Sequence, residues 1–174
     1  MNSSQEIITI VDRENNEIDQ VTRAEMRAKN LIHRATYILV FNSRSELFVQ
    51  KRTKSKDIYP GHYEIASGGV VLAGESYELS ARRELAEELG VQCKELTHLF
   101  DHFHDDGKNR VWGRIFSCTH DGPMQLQKEE VESGEFMKLE NVSDMARKYP
   151  FCPDGIDVLN RVLADNLIPA SQKL

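Results

Sequence analysis

GVVLAGESYELSARRELAEELGV runs from Gly69 to Val91. Here the apolar residues change from strand spacing to helix spacing, which predicts a helix over Ser76 to Leu89 with Gly90 as its stop. Ala81, Leu85 and Leu89 recur at four-residue spacing and mark the buried stripe. At about 100° per residue, Glu84, Glu87 and Glu88 fall within an arc of about 100° turned away from that stripe. Carboxylates on a helix face are usually just a solvated surface. Held this close, however, they repel one another unless something cationic sits among them. Mg²⁺ takes oxygen ligands in octahedral geometry and keeps several waters, so carboxylates on one rigid helix make it a suitable seat; the same oxygens suit Mn²⁺.

Upstream of this helix, Ile7 to Val11 and Ile18 to Val21 flank Asn15 and Asn16, the pattern of a hairpin. Thr22 and Glu25 have capping-box spacing for a short helix after it. Ala35 to Phe41 and Leu47 to Lys51 are expected strands, and Tyr63 to Ala66 a short one entered from the Pro60-Gly61 turn. Downstream, Leu96 to Phe103 and Val111 to Cys118 should flank the polar loop Asp105 to Arg110, with Phe136 to Leu139 as one more strand. Pro153 and Asp154 open a last amphipathic helix in which Ile156, Leu159 and Leu163 lie near one face. Strands around one central helix, closed by a terminal helix, give a mixed α/β layer fold.

The chain's 174 residues and 19.9 kDa fit a single domain over 1–174, divided into a hairpin and short helix at 1–33 and a core at 34–174. A mean hydropathy of −0.51 and the lack of a long apolar run exclude a membrane-spanning helix. Met1 to Glu6 lacks the order of a signal peptide, so the mature chain is expected to start near Met1. Cys93, Cys118 and Cys152 are odd in number and form no CxxC pair, which fits reduced structural thiols and a cytoplasmic location. A net charge of −6 counts against a nucleic-acid partner and means that a phosphate substrate would need local cations. Lys51, Arg52, Lys54 and Lys56 are the candidates, with Arg52 and Lys51 preferred as substrate-binding residues.

Gly69, Glu75, Arg83, Glu84, Leu85, Glu87, Glu88, Gly90 and Val91 occupy every fixed position of the box of the Nudix (MutT-like) hydrolase superfamily, which this chain resembles. A chance match in a chain of this length is on the order of one in ten million, so the resemblance outweighs the solvated-surface reading. It implies the Nudix fold, an α/β/α sandwich around a mixed sheet, here with an N-terminal β-hairpin extension. It also implies that Glu84, Glu87 and Glu88 hold Mg²⁺, with Gly68 or Gly69 offering a backbone carbonyl, and that Glu75 and Arg83 orient the helix and loop. The implied reaction is hydrolysis of a diphosphate bond in a nucleoside diphosphate derivative or similar small metabolite. Its general base would be one of the box glutamates or a later one, for which Glu130 is the best candidate.

Outside the box, His33-Arg34-Ala35, Gln50-Lys51-Arg52, Tyr59-Pro60-Gly61 and Arg110-Val111-Trp112 are similar to the isopentenyl-diphosphate isomerase branch. The isomerases carry a catalytic cysteine, then Gly-His, where this chain has Gly68, Gly69 and Val70; a histidine ligand of theirs falls near Met26, and an acidic residue near Arg110. Two further functions stay open beside hydrolysis: an isomerase-like activity, and a non-catalytic nucleotide-sensing module on the same scaffold. His98, His102 and His104, with Asp101 and Asp105, form a second cluster with metal-ligating side chains but no firm ligand spacing. Trp112 reads as core or as a base-stacking ring, and His33 as structural. A homodimer is expected only from the general frequency of twofold assemblies.

Overall fold

Alternation along Ala35 to Phe41 sets the layers. Ile38 and Val40 point to one face of the sheet, Leu39 and Phe41 to the other, and all four are buried. A computed structural model describes residues 3–169, so the expected start at Met1 and residues 170–174 lie outside the described range. Its strands are β1 (Ile7–Val11), β2 (Glu17–Thr22), β3 (His33–Phe41), β4 (Leu47–Arg52), β5 (Tyr63–Glu64), β6 (Thr97–Asp105), β7 (Arg110–Thr119) and β8 (Val131–Met137). The helices are α1 (Arg23–Ala28), α2 (Tyr77–Leu89), α3 (Leu139–Ala146) and α4 (Pro153–Ala164).

All eight strands join one sheet. β3 runs parallel to β7 from His33↔Val111 to Phe41↔Thr119, while the other named pairs are antiparallel, so the sheet is mixed. On one face α2 packs Ala81, Leu85 and Leu89 against Ile38, Val40, Phe48 and Phe116. On the other, Val142 of α3 and Val158, Leu159 and Val162 of α4 cover Leu39, Phe41, Val49 and Ile115. The result is the three-layer α/β/α arrangement. The N-terminal hairpin enters the same sheet through β1, at Ile10↔His33, and builds a third small cluster from Ile8, Ile10, Met26 and Val70.

Several expectations need correction. The strand placed at Phe136 to Leu139 is β8, which starts at Val131; its exposed Glu132, Ser133 and Glu135 conceal the alternation. Leu139 instead opens α3, a helix not anticipated because Val142 is its one buried residue. On α4 the buried face is Gly155, Val158, Leu159 and Val162, whereas Leu163 is exposed. At α1, Thr22 Oγ1 accepts the Glu25 N–H, but the Glu25 carboxylate turns to Lys29, so only half of the capping box forms.

Candidate active site

Helix α2 is fixed at both ends before its acidic face is considered. Ser76 Oγ accepts the Leu79 N–H at 3.1 Å, and Gly90 closes the helix in the left-handed region at φ 67°. Packing of the Ala81, Leu85 and Leu89 stripe brings the adjacent helix flank against residues 66–69. That segment is itself bound to β3 through Ile38 N–H to Ser67 O and Thr36 N–H to Gly69 O. Glu84 and Glu88 are therefore buried, at 8% and 2% exposure, rather than turned away into solvent; only Glu87 stays open.

Burial gives the two carboxyls an unusual state. Glu88 Oε2 accepts from Ser67 Oγ at 2.7 Å, Gly68 N–H at 3.1 Å and Gln50 Nε2 at 3.4 Å, and Glu88 Oε1 lies 4.0 Å from Lys56 Nζ. Loss of water pushes its carboxyl up to about 8, Glu64 adds to the rise, and Lys56 opposes it. Glu84 is also raised by burial, against the pull of Arg83. The glycines complete the cradle. A Cβ on Gly69 would lie 2.5 Å and 2.7 Å from the two Glu84 carboxylate oxygens, and one on Gly68, at φ 149°, would lie 2.0 Å from Thr36 O. This all-oxygen donor set, underserved by protein cations, fits a hard divalent ion.

Arg83 joins the acidic residues of this face. Its Nε and Nη2 take the two oxygens of Glu75 at 2.9 Å and 3.0 Å, and Nη1 reaches Glu84 at 2.7 Å and Glu87 at 3.3 Å. Glu75 also accepts the Leu72 N–H, which ties the loop to the helix. Glu130 sits in the turn before β8 and faces the same cleft, held there by a short hydrogen bond from Lys56 Nζ. Burial would raise the Glu130 carboxyl, yet Lys56 prevails and holds it below the usual carboxylate range.

The two basic residues preferred from the sequence are placed differently. Arg52 lines the cleft, but its guanidinium donates to Ile58 O at 2.9 and 3.1 Å and to Glu64 at 2.7 Å. Lys51 pairs with Glu132 at 2.9 Å on the neighbouring strand and does not line the cleft. Besides Arg52 and Arg83, the cleft is lined by Lys56 and, from the hairpin extension, by Arg23 and Arg27 of α1, Arg23 lying 3.3 Å from Glu6. Arg27 is oriented by Asp57 at 3.1 Å and Asn109 at 3.3 Å. Glu64, Arg23 and Arg27 were missed by sequence reasoning; the i,i+4 spacing of the two arginines was the available signal. His33 is buried in the cleft wall, where loss of water pushes its ring down to about 3. Trp112 packs against Phe103 away from the cleft, and the three cysteines are free thiols.

The NUDIX domain family model matches residues 31–155. PA4841 of Pseudomonas aeruginosa, an uncharacterized Nudix hydrolase, is 44% identical over 161 residues, covering 92% of this chain and 95% of its own. The Nudix hydrolase YfcD of Escherichia coli K12 is 41% identical over 157 residues, covering 90% and 86%. Among solved structures, DR0079 from Deinococcus radiodurans superposes with a TM-score of 0.78 at 22% identity, over 90% of this chain and 98% of that one. The NUDIX domain of Shewanella oneidensis NrtR, solved with ADP ribose, gives 0.64 at 17% identity, over 84% and 99%. The structural likenesses show the fold.

Proposed function

For a chain that belongs to the Nudix family and is a Nudix hydrolase, as this one is, we propose Mg²⁺-dependent hydrolysis of a diphosphate bond in a nucleoside diphosphate derivative. The observation that carries the reading is the pair of buried carboxyls, Glu84 and Glu88, beside exposed Glu87 in a cleft that also holds Lys56, Arg23 and Arg27. Glu84, Glu87 and Glu88 would hold the ion. The Gly68 carbonyl would join them in preference to that of Gly69, which already accepts the Thr36 N–H. Bound there, a divalent ion offsets diphosphate charge and makes a water more acidic; Mn²⁺ suits the same oxygens.

The chain's own groups supply orientation and proton handling. Arg83 clamps Glu75 and aims Glu84, a positioning role. Glu130, held ionised by Lys56, is in the form that can accept a proton from water at a carboxylate oxygen. Arg23 and Arg27 would offer positive charge to the phosphates, which supports an anionic substrate for a chain of net charge −6. The net charge of −6 favours a small-molecule substrate over nucleic acid. The free thiols accord with a cytoplasmic location, and no helix among the described residues is long and apolar enough to cross a membrane.

Isomerisation fits less well. A side chain at position 68 would strike Thr36 O on this backbone, Met26 is core, and Arg110 pairs with Asp105 at 3.1 Å. The test is a panel of nucleotide sugars, ADP ribose, dinucleotides, nucleoside triphosphates, coenzyme A and isopentenyl diphosphate, each with and without Mg²⁺, read by product mass. Metal-dependent cleavage of a nucleoside diphosphate derivative is expected. Tight binding without turnover across the panel would replace the proposal with a sensing module.

A further inference from the structure

His102 and His104 stand two residues apart on β6, so their side chains leave the same face of the strand. Helix α4 covers that face and brings Asp157 to both rings, with Oδ2 2.9 Å from His104 Nδ1 and 3.6 Å from His102 Nε2. One ligand atom from each of the three residues lies within 4.8 Å of the others. His104 is only 6% exposed, while the Asp157 side chain is 47% exposed, so the cluster is closed toward the protein and open toward solvent. His102 Nε2 is buried and, among the described residues, has no hydrogen-bond partner. A buried ring nitrogen left unpaired beside a carboxylate oxygen is an unmet coordination demand.

We propose that His102, His104 and Asp157 form a second metal site, separate from the glutamates of α2, for a borderline transition ion of the Zn²⁺ class. Ligands about 2.0–2.2 Å from a tetrahedral zinc are about 3.4 Å from one another, and the two separations at Asp157 bracket that edge. Solvent access at Asp157 leaves room for water in the remaining position. On the far side of His104, Nε2 lies 3.9 Å from Asp106 Oδ2. Asp106 is itself fixed by the Tyr59 hydroxyl and by the N–H groups of Lys108 and Asn109. The 3.9 Å separation is beyond hydrogen-bond distance, so among the described residues His104 Nε2, like His102 Nε2, is buried without a hydrogen-bond partner.

Two imidazoles and one carboxylate select the metals that imidazole suits, whereas the carboxylates of α2 suit Mg²⁺. The ion would join α4 to β6 and steady the turn at 106–109, where Asn109 meets Arg27 at the cleft wall. His98 is outside the site, paired with Asp101 at 3.0 Å, and Asp105 pairs with Arg110.

The test uses the full chain, stripped with a chelator, dialysed and saturated with Mg²⁺. Zn²⁺ is then titrated in by calorimetry, and the Tm is recorded with and without it. One equivalent should bind and raise the Tm, and Asp157→Asn and His102→Gln, both at solvent-reachable residues, should each weaken binding by about tenfold or more. Glu87→Gln should bind zinc as the wild type does, and because the readout is heat and Tm, a failure of the hydrolase reading would not mimic a failure here. Absence of saturable zinc uptake, or wild-type affinity in both Asp157→Asn and His102→Gln, would overturn the proposal.

Discussion

Glu88 keeps its proton to about pH 8 because Ser67, Gly68 and Gln50 replace water around it without fully compensating the charge. A carboxyl raised from an unfolded value of 4.5 stabilises the fold at low pH and loses that contribution as pH rises through its folded value. His33 acts in the opposite sense: depressed from 6.5 by burial, it contributes stability above 6.5 that is lost as pH falls. The window between pH 6.5 and 8 therefore isolates Glu88. In chelator, stability should drop there by about 1–2 kcal/mol, and Glu88→Gln should remove most of the slope. Mg²⁺ should flatten it as well, since a cation favours the ionised carboxylate. Thermal melts at both pH values check this, and an equal slope in wild type and Glu88→Gln would refute it.

At the scale of elements, α2 is the junction between core and site. Leu85 is fully buried against the sheet, so Leu85→Ala should cost about 2–5 kcal/mol, whereas Leu79→Ala, at an exposed position of the same helix, should stay within about 0.5 kcal/mol. Denaturant unfolding of the two variants separates them, and equal stability would mean that the helix packs by another face. The same helix shows what sequence can convey. Its stripe, its Gly90 stop and the order of its carboxylates were legible because each is a local property of spacing. That Glu84 and Glu88 would be buried was not, because residues 66–69 cover them only through pairing with β3, a contact distant in sequence. Similarly, β8 and α3 were obscured by strands and helices that bury a single side chain each, Val131 and Val142 among polar neighbours.

Across the whole molecule, the fold of a chain with net charge −6 brings cations from separate parts of the sequence to one cleft. Arg23 and Arg27 come from α1, beyond the hairpin, and Lys56 from the loop after β4. Composition could pose the need for them but not locate them; the preferred Arg52 does line the cleft, with its guanidinium engaged by Glu64 and Ile58. If these cations meet phosphate, Arg27→Gln should raise KM by roughly 10- to 100-fold with a smaller change in kcat, as expected for loss of a charged hydrogen bond. Steady-state kinetics at two salt concentrations checks it, since the wild-type KM should rise with salt more than that of Arg27→Gln. An unchanged KM would remove α1 from the substrate site.

If the acidic face of α2 holds Mg²⁺ for diphosphate hydrolysis, Glu87 is the residue to change, because its exposed side chain can be altered without disturbing the core. The measurement is turnover of one substrate from the panel by wild type and Glu87→Gln, with and without Mg²⁺, alongside the Tm of both. No turnover is expected without metal, and Glu87→Gln should lose roughly 10²-fold or more at unchanged Tm. Metal-independent turnover, or wild-type turnover in Glu87→Gln, would contradict that role of α2.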